Sequence, residues 1–105
     1  MISLRIPFIS RKAIAFFPFV FFKDRKGQSD LVLVNHEKIH LAQQVELLVI
    51  PFYLIYVVNY LYNLISACDH DAAYRNIIFE KEAYSMQGDP SYLNNRKPYS
   101  FLYHL

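Results

Sequence analysis

The pattern His36-Glu37-Lys38-Ile39-His40 constrains the fold of this chain more than any other feature of the sequence. Residues four apart on an α-helix lie on one face, so the imidazoles of His36 and His40 can bind the same metal ion. Glu37 then lies beside that ion, within reach of a water molecule bound to it. The pattern therefore predicts a helix that carries a metal site.

The flanking residues set the limits of this helix. The apolar segment that precedes Asn35 leads directly into a good N-cap residue, and no glycine or proline follows until Pro51. We therefore predict a helix from about Asn35 to Ile50. Both of its sides carry apolar residues, so we expect it to be buried. Buried imidazole nitrogens need partners, which a shared metal ion would supply; two core histidines bonded to protein groups are the alternative.

A metal site of this kind needs a third protein ligand. The sequence offers the remaining carboxylates, His70, His104 and Cys68. Glu80 and Glu82 belong to a predicted helix from Ala72 to Gln87, where they lie about 200° apart, so only one of them can face the metal. Apolar residues surround Glu80, whereas Glu82 is expected to lie more towards water. A carboxylate among apolar residues is costly unless a cation meets it, which favours Glu80. A surface charge beside Lys81 or Arg75 is the alternative.

These motifs resemble those of a known family. HExxH on one helix, with a glutamate on a later helix, resembles the gluzincin metallopeptidases. The run Glu80-Lys81-Glu82-Ala83-Tyr84 is similar to the E-x-x-A-D run of the membrane-associated gluzincins, with Tyr84 in place of the aspartate. The segment from His36 to Gln43 resembles HExxHxxQ in small bacterial zincin-like proteins, and the chain length resembles that of the minigluzincins.

The resemblance implies a minimal zincin-like α+β domain that hydrolyses a peptide or amide bond in a peptide or protein substrate. Zn²⁺ would be held by His36, His40 and Glu80, with Glu37 as the general base on a zinc-bound water. An oxyanion-stabilising residue is also needed, and the eligible residues are Tyr74, Arg75, Tyr84 and His104. Gln43 is either a support for the site or a plain core amide.

Two other functions remain open. The first is a catalytically weak or inactive zinc-binding module that binds a peptide or a partner, which the replacement of aspartate by Tyr84 favours. Retention of Glu37 argues against it, because a purely structural site has no use for a general base. The second is a membrane-associated accessory protein in which the HExxH pattern is accidental.

Length and composition exclude several classes of protein. With 105 residues, the chain is expected to form a single domain over residues 1–105. A net charge of +2 from scattered basic residues gives no reason to expect nucleic-acid binding. One cysteine, Cys68, excludes an internal disulfide and indicates a reducing compartment, so we expect a cytoplasmic protein, peripheral to the membrane at most. No signal peptide is expected at the N-terminus.

The segment from Leu47 to Ile65 is the strongest indication of a membrane protein, because it runs for nineteen residues without a charge. Several of its residues are atypical in hydrocarbon: Pro51, Asn59, Asn63 and the tyrosines at 53, 56, 60 and 62. A crossing would also place Glu80 about 30 Å from His36 and prevent a shared ion. We therefore predict a bend at Pro51 and a second, largely buried helix from Phe52 to Ile65. Peripheral membrane contact through its tyrosine-bearing side stays open.

The two ends of the chain carry weaker signals. The sequence predicts two strands, residues 2–9 and 13–22, which are separated by Ser10-Arg11-Lys12. We expect both strands to pack on the HExxH helix. The segment from Phe16 to Phe22 is expected either to hold an extended substrate by strand addition or only to cover the helix. After Gly88, an aromatic tail either folds across the site and keeps it latent or packs elsewhere.

Overall fold

Three short strands and six α-helices form an α+β fold in the computed structural model, which describes residues 1–9 and 11–105. Ser10, part of the predicted separator between strands, lies outside the described residues. The strands are β1 (Ile2–Arg5), β2 (Ala13–Phe16) and β3 (Phe19–Phe22). The helices are α1 (Arg25–Ser29), α2 (Leu31–Leu47), α3 (Val49–Ala67), α4 (His70–Arg75), α5 (Ile78–Met86) and α6 (Tyr92–Asn95), followed by a 3₁₀ helix, Ser100–His104.

The sheet has the order β1-β3-β2, with β1 parallel and β2 antiparallel to the central strand. The expected second strand is in fact a hairpin, because the chain turns between Phe16 and Phe19. Small residues on the inner face of the sheet allow it to pack closely on α2. The cluster between them consists of Ala13, Ala15, Val20, Phe22 and Leu41.

Helix α2 begins earlier than predicted. Asp30 is its N-cap, and the Asp30 carboxylate accepts hydrogen bonds from the amides of Val32 and Leu33. Asn35, the predicted cap, lies inside the helix and is buried. Its side-chain amide instead donates to the carbonyls of Gln87 and Asp89, just beyond the C-terminal end of α5. This contact fixes the end of α5 against α2.

The bend between α2 and α3 lies at Leu48, where the backbone has a positive φ of 67°, and not at Pro51 as predicted. Pro51 lies in the first turn of α3, where its missing N–H would have had no partner within the helix. A helix continuing straight from α2 would need that N–H to bond the Leu47 carbonyl. The proline therefore forces the break a few residues before itself.

The sequence predicts a largely buried helix here, and for α3 this prediction is wrong. Phe52 is its only buried residue, and by length and composition alone the helix could cross a membrane. One side of it packs on the last helices through a second aromatic cluster: Phe52, Ile77, Phe79 and Phe101. Of the four tyrosines of α3, three lie partly buried on this packed side, namely Tyr53, Tyr56 and Tyr60, and Tyr62 is exposed.

The chain after α3 folds back along it. The Asn63 side chain donates to the Ala73 carbonyl in α4, and Asn59 accepts a hydrogen bond from the backbone amide of Ile78. The predicted helix from Ala72 to Gln87 is therefore two helices, since Asn59 caps the N-terminal end of α5. The radius of gyration is 13.5 Å, close to the ~13 Å typical of a compact domain of this size.

Candidate metal centre

Two buried imidazoles project from α2 on consecutive turns. The Nε2 atoms of His36 and His40 lie 3.2 Å apart, and the two rings meet edge to face. Both side chains are almost fully removed from solvent. The helical spacing that the sequence predicts therefore brings both ring nitrogens to one point.

Glu80 reaches the same point from the first turn of α5. Its Oε1 atom lies 3.1 Å from the Nε2 of His36 and 3.1 Å from the Nε2 of His40. Among the residues that the structure describes, these three form the one group of at least three histidine, cysteine, aspartate or glutamate side chains close enough to hold a metal ion. His70 and Cys68, which the sequence left open as ligands, are exposed.

The expectation that Glu82 lies towards water is wrong: it is fully buried, because the C-terminal tail supplies a cation for it. Its carboxylate accepts hydrogen bonds from Gln43, Tyr92 and Arg96. The Arg96 guanidinium also contacts Glu46, so the two glutamates share one cation. Burial would raise the pKa of Glu82, but the bonds from Arg96, Tyr92 and Gln43 outweigh it and lower that pKa. Glu82 therefore anchors the C-terminal tail.

The far nitrogen of each imidazole faces an amide oxygen. His40 Nδ1 lies 2.8 Å from Oε1 of Gln43, and His36 Nδ1 lies 2.7 Å from Oε1 of Gln87. The amide nitrogen of Gln43 donates to the Phe79 carbonyl and to Glu82, so its oxygen must be the atom facing His40. An amide oxygen only accepts, so each Nδ1 carries the proton. In the neutral tautomer, each Nε2 then presents a lone pair to the centre, as metal-binding histidines do.

The second oxygen of Glu80 is held from outside the centre. Tyr56, on α3, donates to Oε2 at 2.7 Å, and the Arg11 guanidinium lies 3.9 Å from the same oxygen. Burial would raise the pKa of Glu80, but the positive charge of His40 and the hydrogen bond from His40 outweigh it and lower that pKa. The carboxylate therefore stays ionised, with one oxygen free for the centre.

The donor atoms fit a metal ion. Burial would lower the pKa of His40, but Glu80 raises it to about 9, so a proton supplies the positive charge in the metal-free centre. Donors around a tetrahedral zinc ion, at bond lengths of about 2.0–2.1 Å, lie about 3.3 Å from one another. The separations of 3.1–3.2 Å between the Nε2 atoms and Glu80 Oε1 are close to that value. A metal ion can therefore replace the proton with little rearrangement.

Glu37 lies on α2 between the two histidines and borders the cleft beside them. It is buried, and burial raises the pKa of its carboxyl, while the nearby charges of His40 and His36 lower it in part. In the part of the chain that the structure describes, no group hydrogen-bonds the Glu37 carboxylate. A basic oxygen is therefore available beside the metal-binding atoms.

A cleft of about 520 Å³ leads from solvent to His36 and Glu37. Arg11 borders it and donates to the Tyr74 hydroxyl at 2.6 Å, and Tyr74 and Tyr84 are joined through their hydroxyls at 3.2 Å. Burial raises the pKa of Tyr74, which keeps its hydroxyl protonated.

Two of the four residues eligible to stabilise an oxyanion thus line the cleft, namely Tyr74 and Tyr84. Arg75 stacks on the Tyr84 ring, 4.1 Å from its centroid, and His104 lies in the 3₁₀ helix outside the lining. Sequence reasoning missed Arg11 and Tyr56, because a turn residue and a tyrosine of an apolar helix carry no local signal for a site.

The C-terminal tail packs away from this cleft. Among the described residues, none after Gln87 lines the cavity beside His36 and Glu37. Arg96 ties the tail to α2 and α5, and Phe101 joins the aromatic cluster beneath α5. Of the two expectations for the tail, the structure agrees with packing and not with a cover over the site.

Comparison with known proteins adds no assignment to this geometry. The chain matches no protein-family model, no curated protein and no solved structure. Any conclusion about function therefore rests on the centre formed by His36, His40 and Glu80.

Proposed function

We propose that this protein is a zinc-dependent hydrolase of peptide or amide bonds, with Glu37 as its general base. One observation carries the proposal. The Nε2 atoms of His36 and His40 and the Oε1 atom of Glu80 meet at a buried point, and separate partners hold each of the three side chains in that orientation. Metal-binding histidines almost always have a partner of this kind on the second ring nitrogen.

The donor set favours zinc. Two imidazole nitrogens and one carboxylate oxygen are typical of catalytic zinc sites, which use three protein ligands and keep one position open. Structural zinc sites usually have four protein ligands. Only three candidate ligands meet within the described residues, which supports a catalytic site. A zinc ion held there would acidify a bound water and polarise the carbonyl of a substrate.

Glu37 has the position and the basicity for proton transfer. As the water oxygen attacks the substrate carbonyl carbon, the Glu37 carboxylate takes a proton from that water. It then gives the proton to the amine nitrogen as the C–N bond breaks, so the carboxylate is regenerated. The raised pKa of Glu37 makes it a better base than an exposed glutamate.

The rim of the cleft offers donors for the oxyanion. The Tyr74 hydroxyl and the Arg11 guanidinium lie next to each other on the wall of the cleft that also contains His36 and Glu37. We assign them to the negative charge that develops on the carbonyl oxygen. Their existing bond to each other keeps both groups in place before the substrate arrives.

The outer edge of β2 is suited to hold an extended substrate. The Lys12 carbonyl pairs with β3, so the alternate residues Ala13 and Ala15 direct their backbone groups away from the sheet. Ala13 also lines the cleft beside Glu37. We therefore propose that a peptide adds as a strand at Ala13, in place of the longer segment from Phe16 to Phe22 expected from the sequence.

A zinc-binding module that binds peptides without cutting them is the second candidate. The observation that favours it is the short length of this free edge, since Gln44 already bonds the Ala15 carbonyl and the Phe17 amide. Tyr53 also donates to the Ala15 carbonyl. Less edge is then left to position a substrate.

The single cysteine, Cys68, is free and exposed, and we place the protein in the reducing cytoplasm.

The variant Glu37→Gln separates the two candidates. It keeps the size of the side chain and removes the base, so we expect unchanged zinc content and at least about 100-fold slower turnover of a peptide library. Glu46→Gln, a carboxylate on the same helix but outside the cleft, is the matched control and should keep wild-type turnover. Turnover of the zinc-loaded Glu37→Gln protein at the wild-type rate would overturn the mechanism, and absence of turnover in the wild type would favour the binding module.

A further inference from the structure

The outer face of α3 is a continuous aliphatic surface without a partner in the described chain. Its side chains are Ile50, Leu54, Val57, Val58, Leu61 and Ile65, between 49% and 81% exposed. At 100° per residue, they fall within a stripe about 100° wide and about 22 Å long. No charged residue occurs in α3. An apolar stripe of this kind on a helix surface indicates an interaction site.

The order of residue types along the stripe is the same from either end of the helix. From the midpoint between Val57 and Val58, the next stripe residue on each side is a leucine, and the one after it is an isoleucine. Leu54 corresponds to Leu61 in this way, and Ile50 corresponds to Ile65. An antiparallel pair of such helices, related by a two-fold axis at the midpoint, would place each residue opposite its own type.

We propose that α3 forms a homodimer interface in which it pairs antiparallel with α3 of a second copy. A two-fold interface needs a self-complementary surface, and the symmetric order of side chains supplies one. From the exposed fractions, the stripe presents on the order of 700 Å² per copy. A standard protein interface buries about 800 Å² per partner, so this area suits a dimer of micromolar affinity.

Charges near the stripe favour a second copy over a lipid surface. Helices that lie on membranes carry lysine and arginine beside their apolar face. Here the nearest charged residues in the sequence, Glu46 before the helix and Asp69 after it, are both acidic. A lipid surface also gives no advantage to a symmetric order of residues.

The interface would leave the metal centre accessible. Phe52 and Tyr56, which contact the centre and its aromatic surroundings, lie on the opposite side of α3 from the stripe. Dimer formation and metal binding therefore use separate surfaces, and the dimer does not depend on the proposed hydrolase activity.

Charge substitutions at the two ends of the stripe test the pairing. In the antiparallel dimer, residue 50 faces residue 65 of the second copy. Ile50→Lys alone and Ile65→Glu alone should each weaken the dimer at least about tenfold, measured by sedimentation equilibrium under reducing conditions. The double variant places lysine opposite glutamate twice and should recover most of the lost affinity. Leu31→Lys, an equally exposed leucine off α3, is the matched control and should dimerise as the wild type does.

Three results would overturn the proposal. The wild-type protein could be monomeric at about 100 µM, a concentration at which a micromolar dimer is formed, or the double variant could dimerise more weakly than both single variants. The third result is flotation of wild-type monomer with phosphatidylcholine–phosphatidylserine vesicles. A crosslinking variant that introduces no charge tests the same pairing if the charged variants misfold. With Cys68→Ser, the pair Leu54→Cys and Leu61→Cys should oxidise to an inter-chain disulfide. Absence of that crosslink in a folded protein would also contradict antiparallel pairing.

Discussion

The support of His40 by Gln43 gives a prediction whose size can be worked out from the structure. Gln43→Met keeps the length of the buried side chain and removes its acceptor for His40 Nδ1. Loss of a group that orients a metal-binding histidine typically weakens metal affinity 10–100-fold. That range corresponds to about 1.4–2.7 kcal/mol in binding free energy. We therefore expect Gln43→Met to bind zinc about 10–100-fold more weakly than the wild type, measured by competition with a chromophoric chelator.

The same substitution also removes two other bonds, so the loss of stability must be separated from the loss of affinity. Gln43 donates to the Phe79 carbonyl and to Glu82, and loss of a hydrogen bond costs about 0.5–1.5 kcal/mol, or about 1.5–3 kcal/mol where the partner is charged. Gln44→Met is the matched control. Gln44 is equally buried on the next position of α2, but it bonds the β2 backbone and no histidine. It should destabilise the metal-free protein and leave zinc affinity within about twofold of the wild type.

Equal zinc affinities for folded Gln43→Met and the wild type would refute the reasoning. That result would mean that the amide oxygen of Gln43 does not set the tautomer of His40 or orient its Nε2 atom towards the centre. A similar loss of affinity in both variants would show that general loosening of α2, and not the bond to His40, controls the site.

Three further predictions concern stability. Removal of zinc by a chelator should lower the melting temperature by at least about 10 °C, because zinc at 100 times its dissociation constant adds about 2.7 kcal/mol; an unchanged melting curve would contradict a bound metal. Arg96→Met should lower the free energy of unfolding in urea by about 3 kcal/mol, since it removes the cation beside the fully buried Glu82. Lys97→Met, at the exposed residue next to Arg96, should lower it by under about 0.5 kcal/mol, and equal losses would contradict a stabilising ion pair. Asn59→Ala should cost about 1 kcal/mol by removing the cap of α5, and hydrogen exchange at the start of that helix should accelerate; unchanged exchange there would contradict the cap.

The parts of the fold that follow from local spacing could be predicted from the sequence. The four-residue interval places His36 and His40 together on any α-helix, and the apolar neighbours of Glu80 direct it inward in the same way. Both depend only on helix geometry and on the cost of burying a charge. For this reason, the three side chains of the centre were predictable before their tertiary contacts were known.

Features set by tertiary contacts could not be predicted in this way. The break between α4 and α5 depends on Asn59, which is distant in the sequence and caps α5 from α3. The apolar composition of α3 predicts burial, but the described residues cover only the side that carries Tyr56. Arg11 reaches the cleft from a turn whose position depends on the sheet. Nothing in the residues around Arg11 indicates that position.

Zinc content tests the central claim of this account most directly. Purified wild-type protein, analysed by inductively coupled plasma mass spectrometry, should hold one zinc ion per chain, and His40→Ala should hold none. His70→Ala should match the wild type, because the exposed His70 lines the cleft but is not one of the three side chains that meet at the centre. A wild-type chain without stoichiometric zinc after loading, or a His40→Ala variant that retains it, would contradict the account.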